Sequence, residues 1–111
     1  IGAQAGSSVS QQLSVASGDR IAIASMYGLS NDWFFATKDN GIDATVKGDV
    51  SYSIGLFDNG TAINQFPGAG NEQAGLGGTP ATERKPVIEV PNPNGFTTLP
   101  SISSMIKVTI N

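Results

Sequence analysis

Two carboxylates stand where a cation could be held. Asp32 lies in residues 30–36, a segment that also contains the only Trp and two of the five Phe, and Asp58 opens a turn. Calcium takes about six to eight oxygen ligands, several of them carboxylates, so Asp32 and Asp58 are the candidate ligands of a Ca²⁺ site. Further oxygens could come from the loops that follow: Glu72, Asn59, Asn64 and Asn71. The alternative is that each Asp accepts hydrogen bonds from its own turn backbone.

The sequence lacks the residue types on which most catalytic sites depend. The 111 residues include no Cys and no His, which removes thiol nucleophiles, Ser-His-Asp triads, ordinary zinc sites and the usual proton shuttle. The Asp and Glu residues could supply the two carboxylates that glycoside hydrolysis needs, but their spacing does not single out one pair. We therefore expect a protein that is not an enzyme.

The charge pattern argues against nucleic acid. Nine acidic and six basic residues give a net charge of −3, and no basic run is longer than Arg84-Lys85. The basic patch of a nucleic-acid-binding protein is therefore missing. No apolar run approaches the roughly 20 residues that span a bilayer, so we expect no membrane span and a chain that is soluble or already processed.

The composition favours an extracellular or cell-surface protein. Charged residues make up only 14% of the chain, whereas Ser, Thr, Asn and Gly are abundant. The tripeptide Asn59-Gly60-Thr61 matches the acceptor pattern for N-glycosylation at Asn59. A tight turn demands Asn-Gly independently, and we favour the turn as its explanation.

Alternating apolar residues predict strands. We expect a half-buried strand within residues 1–18, a central strand at 20–27, an edge strand at 42–46, a hairpin of 50–57 with 62–65, a short strand at 86–90 and a terminal strand at 102–110. No segment has the helical period over three turns. The pattern predicts an all-β, Ig-like antiparallel β-sandwich of about seven strands with negligible helix, and Trp33, Phe34 and Phe35 in its core.

The order of several motifs resembles the spondin domain, notably its prokaryotic exported members. The motifs are Asp32-Trp33, Gly48-Asp49-Val50, Leu56-Phe57-Asp58-Asn59-Gly60-Thr61 and residues 67–73, and the likeness covers roughly residues 13–110. It implies a C2-like β-sandwich over residues 16–111 with an extracellular, adhesive and non-catalytic role. It also implies calcium ligands at Asp32, Asp58 and a third acidic position, which is Ala62 here.

Spondin domains normally carry further strands before the segment aligned with residues 13–24, so we expect this sandwich to be incomplete within one molecule. A strand from a neighbouring copy would then fill it and propagate a homo-oligomer or homopolymer. The donor would be the extended segment 1–15, through Ile1, Ala3, Ala5, Val9 and Leu13. The alternative is a monomeric, Ca²⁺-dependent module that binds glycan or lipid headgroups through the loops around Asp32 and Asp58.

Overall fold

The computed structural model describes residues 6–70, 72–73 and 76–111. Within these residues, short strands and antiparallel pairing dominate. The strands are β1 Arg20–Ile21, β2 Ala24–Met26, β3 Trp33–Thr37, β4 Ile42–Asp43, β5 Gly48–Asp49, β6 Ile54–Asp58, β7 Ile88–Glu89 and β8 Thr109–Ile110. A 3-10 turn, Ser51–Ser53, and a short helix, α1 Ile102–Met105, lie between the strands.

A four-stranded sheet in the order β2-β3-β6-β7 forms the centre of the molecule, and β1 pairs with β4 and β5 with β8 in two smaller sheets. In the main ladder, Trp33 lies opposite Asp58 and Thr37 opposite Ile54. The predicted all-β antiparallel fold is confirmed. Two stacked sheets of about seven strands remain a prediction.

The core lies on one face of this sheet. Strand alternation turns Trp33 and Phe35 to that face, where they meet Ile54 and Leu56 of β6. Val90 and Leu99 complete the buried cluster, and Ile102, Met105 and Ile106 from the region of α1 pack against it. The core position predicted for Trp33 and Phe35 is confirmed. Phe34 instead lies on the opposite face, half-buried, with its ring 5.8 Å from that of Phe57.

The central strand predicted for residues 20–27 is wrong. The segment divides into β1 and β2, which belong to different sheets, and β2 is an exposed edge strand. Strand β4 lies close enough to β1 that a Cβ on Gly41 would be 2.6 Å from the Ile21 carbonyl oxygen. The β1–β4 contact therefore draws the first half of the segment away from the main sheet.

The hairpin predicted from residues 50–57 and 62–65 is also wrong. The amide of Ser51 donates to Asp49 Oδ1 at 2.9 Å, and a 3-10 turn delays the start of β6 to Ile54. Strand β6 has β3 and β7 as its two neighbours, so no edge is left for residues 62–65. Ala62 forms only an isolated bridge with Thr82.

The terminal strand is shorter than predicted. Residues 102–105 form α1, which places Ile102 and Met105 against the core, and only Thr109–Ile110 form a strand. The apolar residues in this segment fit a helical turn as well as a strand, because positions i, i+3 and i+4 share one helix face.

The half-buried strand predicted near the start of the chain is wrong for the described residues. Residues 6–19 contain no strand and are exposed, with Val9 51% and Leu13 62% accessible. A turn closes this segment, in which the Asp19 amide donates to the Ala16 carbonyl at 3.1 Å. The predicted donor residues Ile1, Ala3 and Ala5 lie outside the described residues.

Candidate functional site at the Asp32 and Asp58 turns

The sheet register brings the two predicted carboxylates to one end of the molecule. Asp32 immediately precedes β3 and Asp58 ends β6, and the pairing of Trp33 with Asp58 makes the two acidic residues neighbours. Both are buried, with 4% and 7% of their surface accessible. A buried carboxylate requires partners, so the hydrogen bonds of each one decide its role.

Asp32 holds the turn after β6. Its Oδ2 accepts from the Thr61 amide at 2.7 Å, the Ala62 amide at 2.9 Å and the Thr61 hydroxyl at 3.1 Å. Its backbone carbonyl accepts from the Asn59 amide at 3.2 Å. Hydrogen bonds to a charged acceptor contribute about 1.5–3 kcal/mol each, so Asp32 ties residues 59–62 to the start of β3.

Asp58 supports the same turn through a relay to the core. Its Oδ1 accepts from the Gly60 amide at 2.8 Å and its Oδ2 from Asn64 Nδ2 at 2.7 Å. Asn64 Oδ1 in turn accepts from Trp33 Nε1 at 2.9 Å. Because an indole N–H can only donate, Trp33 fixes the orientation of the Asn64 amide and directs its NH₂ group to Asp58.

Gly60 makes this turn sterically feasible. Its φ is +74°, a conformation that side chains disfavour, and a Cβ would collide with the Lys85 carbonyl. The Lys85 amide donates to the Gly60 carbonyl at 2.9 Å. The turn therefore accounts for Gly60, while Asn59 is exposed and its glycosylation remains a prediction.

Two buried oxygens at this end lack a hydrogen-bond donor among the described residues. They are Asp32 Oδ1 and Asn31 Oδ1, although the Asn31 amide nitrogen donates to the Ile63 carbonyl at 2.7 Å. A buried carboxylate oxygen without a partner is costly, and a cation would satisfy it. This pair of oxygens is the feature at the site that favours metal binding.

The other predicted ligands fit calcium less well. Both Asp58 oxygens and Asn64 Oδ1 accept hydrogen bonds, and Ala62 has no side-chain oxygen. Within the described ranges, no three His, Cys, Asp or Glu residues form a group able to hold a metal, so Glu72 does not join Asp32 and Asp58 as a third carboxylate. Asn71 lies outside the described residues. Two unpaired oxygens are few beside the about six to eight that Ca²⁺ prefers.

Two further polar residues have roles that were not predicted from the sequence. Asn31 is one, and Gln73 is the other, with only 2% of its surface accessible. Gln73 Nε2 donates to the Phe66 carbonyl at 2.6 Å, and its Oε1 accepts from the Gly68 amide at 3.1 Å. Gln73 thereby links two parts of the long connection between β6 and β7 to each other. A single Gln in a Gly-rich run has no pattern that could have revealed this role.

Comparisons with known proteins leave the family open: no protein-family model, curated protein or solved structure matches the chain. The resemblance to spondin domains therefore stays a prediction. None of the helices in the described residues is long and apolar enough to cross a membrane.

Proposed function

We propose that this protein is a non-catalytic, extracellular structural and adhesive subunit that assembles with further copies by donating its N-terminal segment as a strand. The observation that supports it best is the combination of the outer edge of β2, which pairs with no strand of the described residues, and an exposed, apolar-polar alternating segment before β1. The edge of β2 can accept a further strand, and the exposed segment can provide one.

The outer edge of β2 has no strand partner in the part of the chain that the structure describes. The Tyr27 amide donates to the Trp33 carbonyl at 3.0 Å and the Thr37 amide to the Ile23 carbonyl at 3.1 Å. Hydrogen-bonded pairs alternate in an antiparallel ladder, so Ala24 and Met26 direct their N–H and C=O groups away from β3. Among the described strands, β2 pairs with β3 alone. This edge can therefore accept a further strand.

The chemistry of this edge does not protect it. Ala24, Ser25 and Met26 are exposed and include none of the Lys or Pro residues with which natural edge strands avoid pairing. Met26 lies opposite Phe34, which lies opposite Phe57, so these three side chains form an apolar row across the sheet. We call them the outer stripe. Met26 is 64% accessible and ends this stripe at the open edge.

The N-terminal segment has the properties of a donor. Residues 6–16 carry no charge, so pairing them would bury no ion. In an extended conformation Val9, Leu13 and Val15 share one side. All three are about half exposed or more, at 51%, 62% and 46%. Pairing this side next to Met26 would extend the outer stripe and remove those side chains from water.

Deletion of the donor tests the proposal. We expect the intact chain to form polymers whose mass rises with concentration in size-exclusion chromatography with light scattering, and the chain lacking residues 1–12 to be a monomer. The double variant Val9→Asp/Leu13→Asp should also be monomeric, because two charges would be buried. Negative-stain microscopy would show whether the polymers are filaments.

A matched control uses the other side of the same segment. Ser10→Asp/Ser14→Asp adds the same charge at positions that would face away from the apolar side, and should still polymerise. Met26→Lys should block the accepting edge while the donor remains intact. An intact chain that is monomeric at every concentration, or a truncated chain with polymers of undiminished length, would refute strand donation.

A second candidate function is the monomeric Ca²⁺-dependent module for glycan or lipid headgroups, which the unpaired Asp32 Oδ1 and Asn31 Oδ1 favour. If Ca²⁺ binds there, it stabilises the folded state, and the melting temperature should rise with Ca²⁺ concentration. The rise should disappear in Asp32→Ala and persist in the exposed-site control Asp19→Ala. An unchanged melting temperature in saturating Ca²⁺ would rule this function out.

A further inference from the structure

A cleft lies at the opposite end of the β3–β6 ladder from the Asp32 turns. Lys38 and Ser53, which line it, adjoin the last pair of the ladder, Thr37 with Ile54, about 14 Å from the other end along strands that rise about 3.4 Å per residue. Its volume is about 390 Å³, within the range of about 300–1,000 Å³ that small-molecule sites occupy. The residues on which we base our inference are Arg20, Lys38, Asp39, Ile42, Asp43 and Tyr52.

The cleft combines a buried apolar side chain with an exposed ring. Ile42 and Tyr52 both line it, and they are 4% and 69% accessible, so the Tyr52 ring is available from solvent. Tyr52 belongs to the 3-10 turn before β6, and the Lys38 amide donates to the Ser53 carbonyl at 2.8 Å. The turn that carries the ring is therefore fixed to the end of β3.

Two cationic side chains, Arg20 and Lys38, line this cleft. Arg20 Nε donates to the Asn40 carbonyl at 3.1 Å and Nη2 to the Gly41 carbonyl at 2.7 Å, which leaves the second terminal nitrogen for a ligand. The stem of Lys38 crosses Gly55 so closely that a Cβ there would be 3.1 Å from Lys38 Cγ. The Arg20 guanidinium is therefore restrained before any ligand binds, which lowers the entropic cost of binding.

Two carboxylates balance these charges. Asp43 uses Oδ1 to accept from the Thr45 amide at 2.9 Å and the Thr45 hydroxyl at 2.8 Å, and its other oxygen has no partner among these contacts. Asp39 lies in the turn after β3 with φ of 54°, a backbone conformation that Asp tolerates. Two positive and two negative groups leave the cleft without net charge, so it favours neither an anion nor a cation.

We propose that this cleft is a binding site for neutral saccharides, independent of Ca²⁺ and of self-assembly. The apolar C–H face of a sugar ring would stack on Tyr52, since the body of an aromatic side chain is apolar and its face is electron-rich. Vicinal hydroxyl groups would donate to the carboxylates of Asp39 and Asp43. Sugar oxygens would accept from Lys38 and Arg20. An exposed ring beside convergent donors and acceptors suits a polyhydroxylated ligand without charge.

Affinity electrophoresis of the full-length chain tests this assignment. Native gels would contain one neutral polysaccharide each, either a glucan, a mannan, a galactan or a xylan, with alginate as the charged control and EDTA throughout. We expect at least one neutral polysaccharide to retard the protein and alginate to have no effect. Retardation should be lost in Tyr52→Ala, retained in Tyr52→Phe and weakened in Asp39→Asn.

Phe96→Ala is the matched control, because Phe96 is also exposed, at 43%, but does not line this cleft. It should be retarded like the unchanged protein. Thermal melting of each variant would show that Tyr52→Ala is folded, as expected for so exposed a side chain. Absence of retardation by all four neutral polysaccharides would overturn the proposal, as would retardation that Tyr52→Ala leaves unchanged. Neither outcome bears on polymer formation, which light scattering measures separately.

Discussion

At the scale of single residues, two glycines with almost the same φ allow backbone strain to be measured apart from steric collision of an added Cβ. Gly60 has φ of +74° and faces the Lys85 carbonyl, whereas Gly68 has φ of +77° and faces open space. We expect Gly68→Ala to lower the free energy of unfolding by about 1 kcal/mol through backbone strain, and Gly60→Ala by about 3 kcal/mol because the turn must also move. Urea denaturation would measure both, and equal losses would contradict the collision.

Asp32 is the acidic residue whose loss should cost most. Asp32→Ala leaves the amides of Thr61 and Ala62 without their acceptor in a buried turn. We expect a loss of about 3 kcal/mol in unfolding free energy, measured by urea denaturation in EDTA. Asp32→Asn keeps one acceptor oxygen and should lose less. A loss below about 1 kcal/mol in Asp32→Ala would mean that water replaces the carboxylate at little cost.

At the scale of elements, two exposed Asp residues shape the acid stability of the turns. Hydrogen bonds from the Ser51 hydroxyl and amide lower the pKa of Asp49 below its ordinary value of 3.8. Hydrogen bonds from the Thr45 amide and hydroxyl do the same to the pKa of Asp43. A lowered folded-state pKa stabilises the fold above the unfolded-state value, and this contribution disappears as the pH falls through the folded-state pKa.

We therefore expect the melting temperature to fall less steeply between about pH 5 and pH 2 in Asp49→Asn than in the unchanged chain. Asp43→Asn should have a similar effect, and the double variant a larger one. Thermal melts across this pH range provide the measurement. If the melting temperature of the double variant falls with pH as steeply as that of the unchanged chain, the two turns do not contribute to acid sensitivity.

Of the two strands with neighbours on both sides, β6 was predicted in its alternating half, whereas no strand was predicted at β3. The consecutive aromatic residues of β3 predicted a place in the core, but they do not alternate with polar residues and so gave no strand pattern. Residues 20–27 are just as apolar, but β4 competes for their first half. The pattern at 102–110 fits a helix face and a strand face equally, and packing on the core decides it.

The two Asp residues of the site were predictable because carboxylates beside aromatic residues and at a turn are conspicuous. Their partners were not predictable. The amides of Thr61 and Ala62, which hold Asp32, come from the backbone, and a backbone donor exists at nearly every position. Asn64 binds Asp58 only because Trp33 fixes its amide, which is a three-residue geometry that no spacing encodes.

At the scale of the whole molecule, the fold is more extended than its length requires. The radius of gyration is 15.2 Å, compared with about 13 Å for a compact domain of this size. Large apolar side chains remain exposed at both the donor segment and the accepting edge, among them Leu13 and Met26. Association that covers them would stabilise the folded state by mass action.

The melting temperature should therefore depend on protein concentration. We expect a rise of up to about 5 °C for each tenfold increase, because assembly removes folded subunits from the unfolding equilibrium. The chain without residues 1–12 should melt at one temperature over the same range. Scanning calorimetry at several concentrations would distinguish the two, and a concentration-independent melting temperature for the intact chain would contradict assembly.

Trp33 is the only indole in the chain, is 1% accessible, and donates its N–H to the amide that holds Asp58. All tryptophan fluorescence of this protein therefore originates from a single fluorophore in contact with both the core and the turn after β6. We expect opening of that turn to change the polarity around the indole and to shift the emission even if the sheet stays intact. The protein thus contains an intrinsic optical reporter of the turn, and no dye has to be attached to observe it.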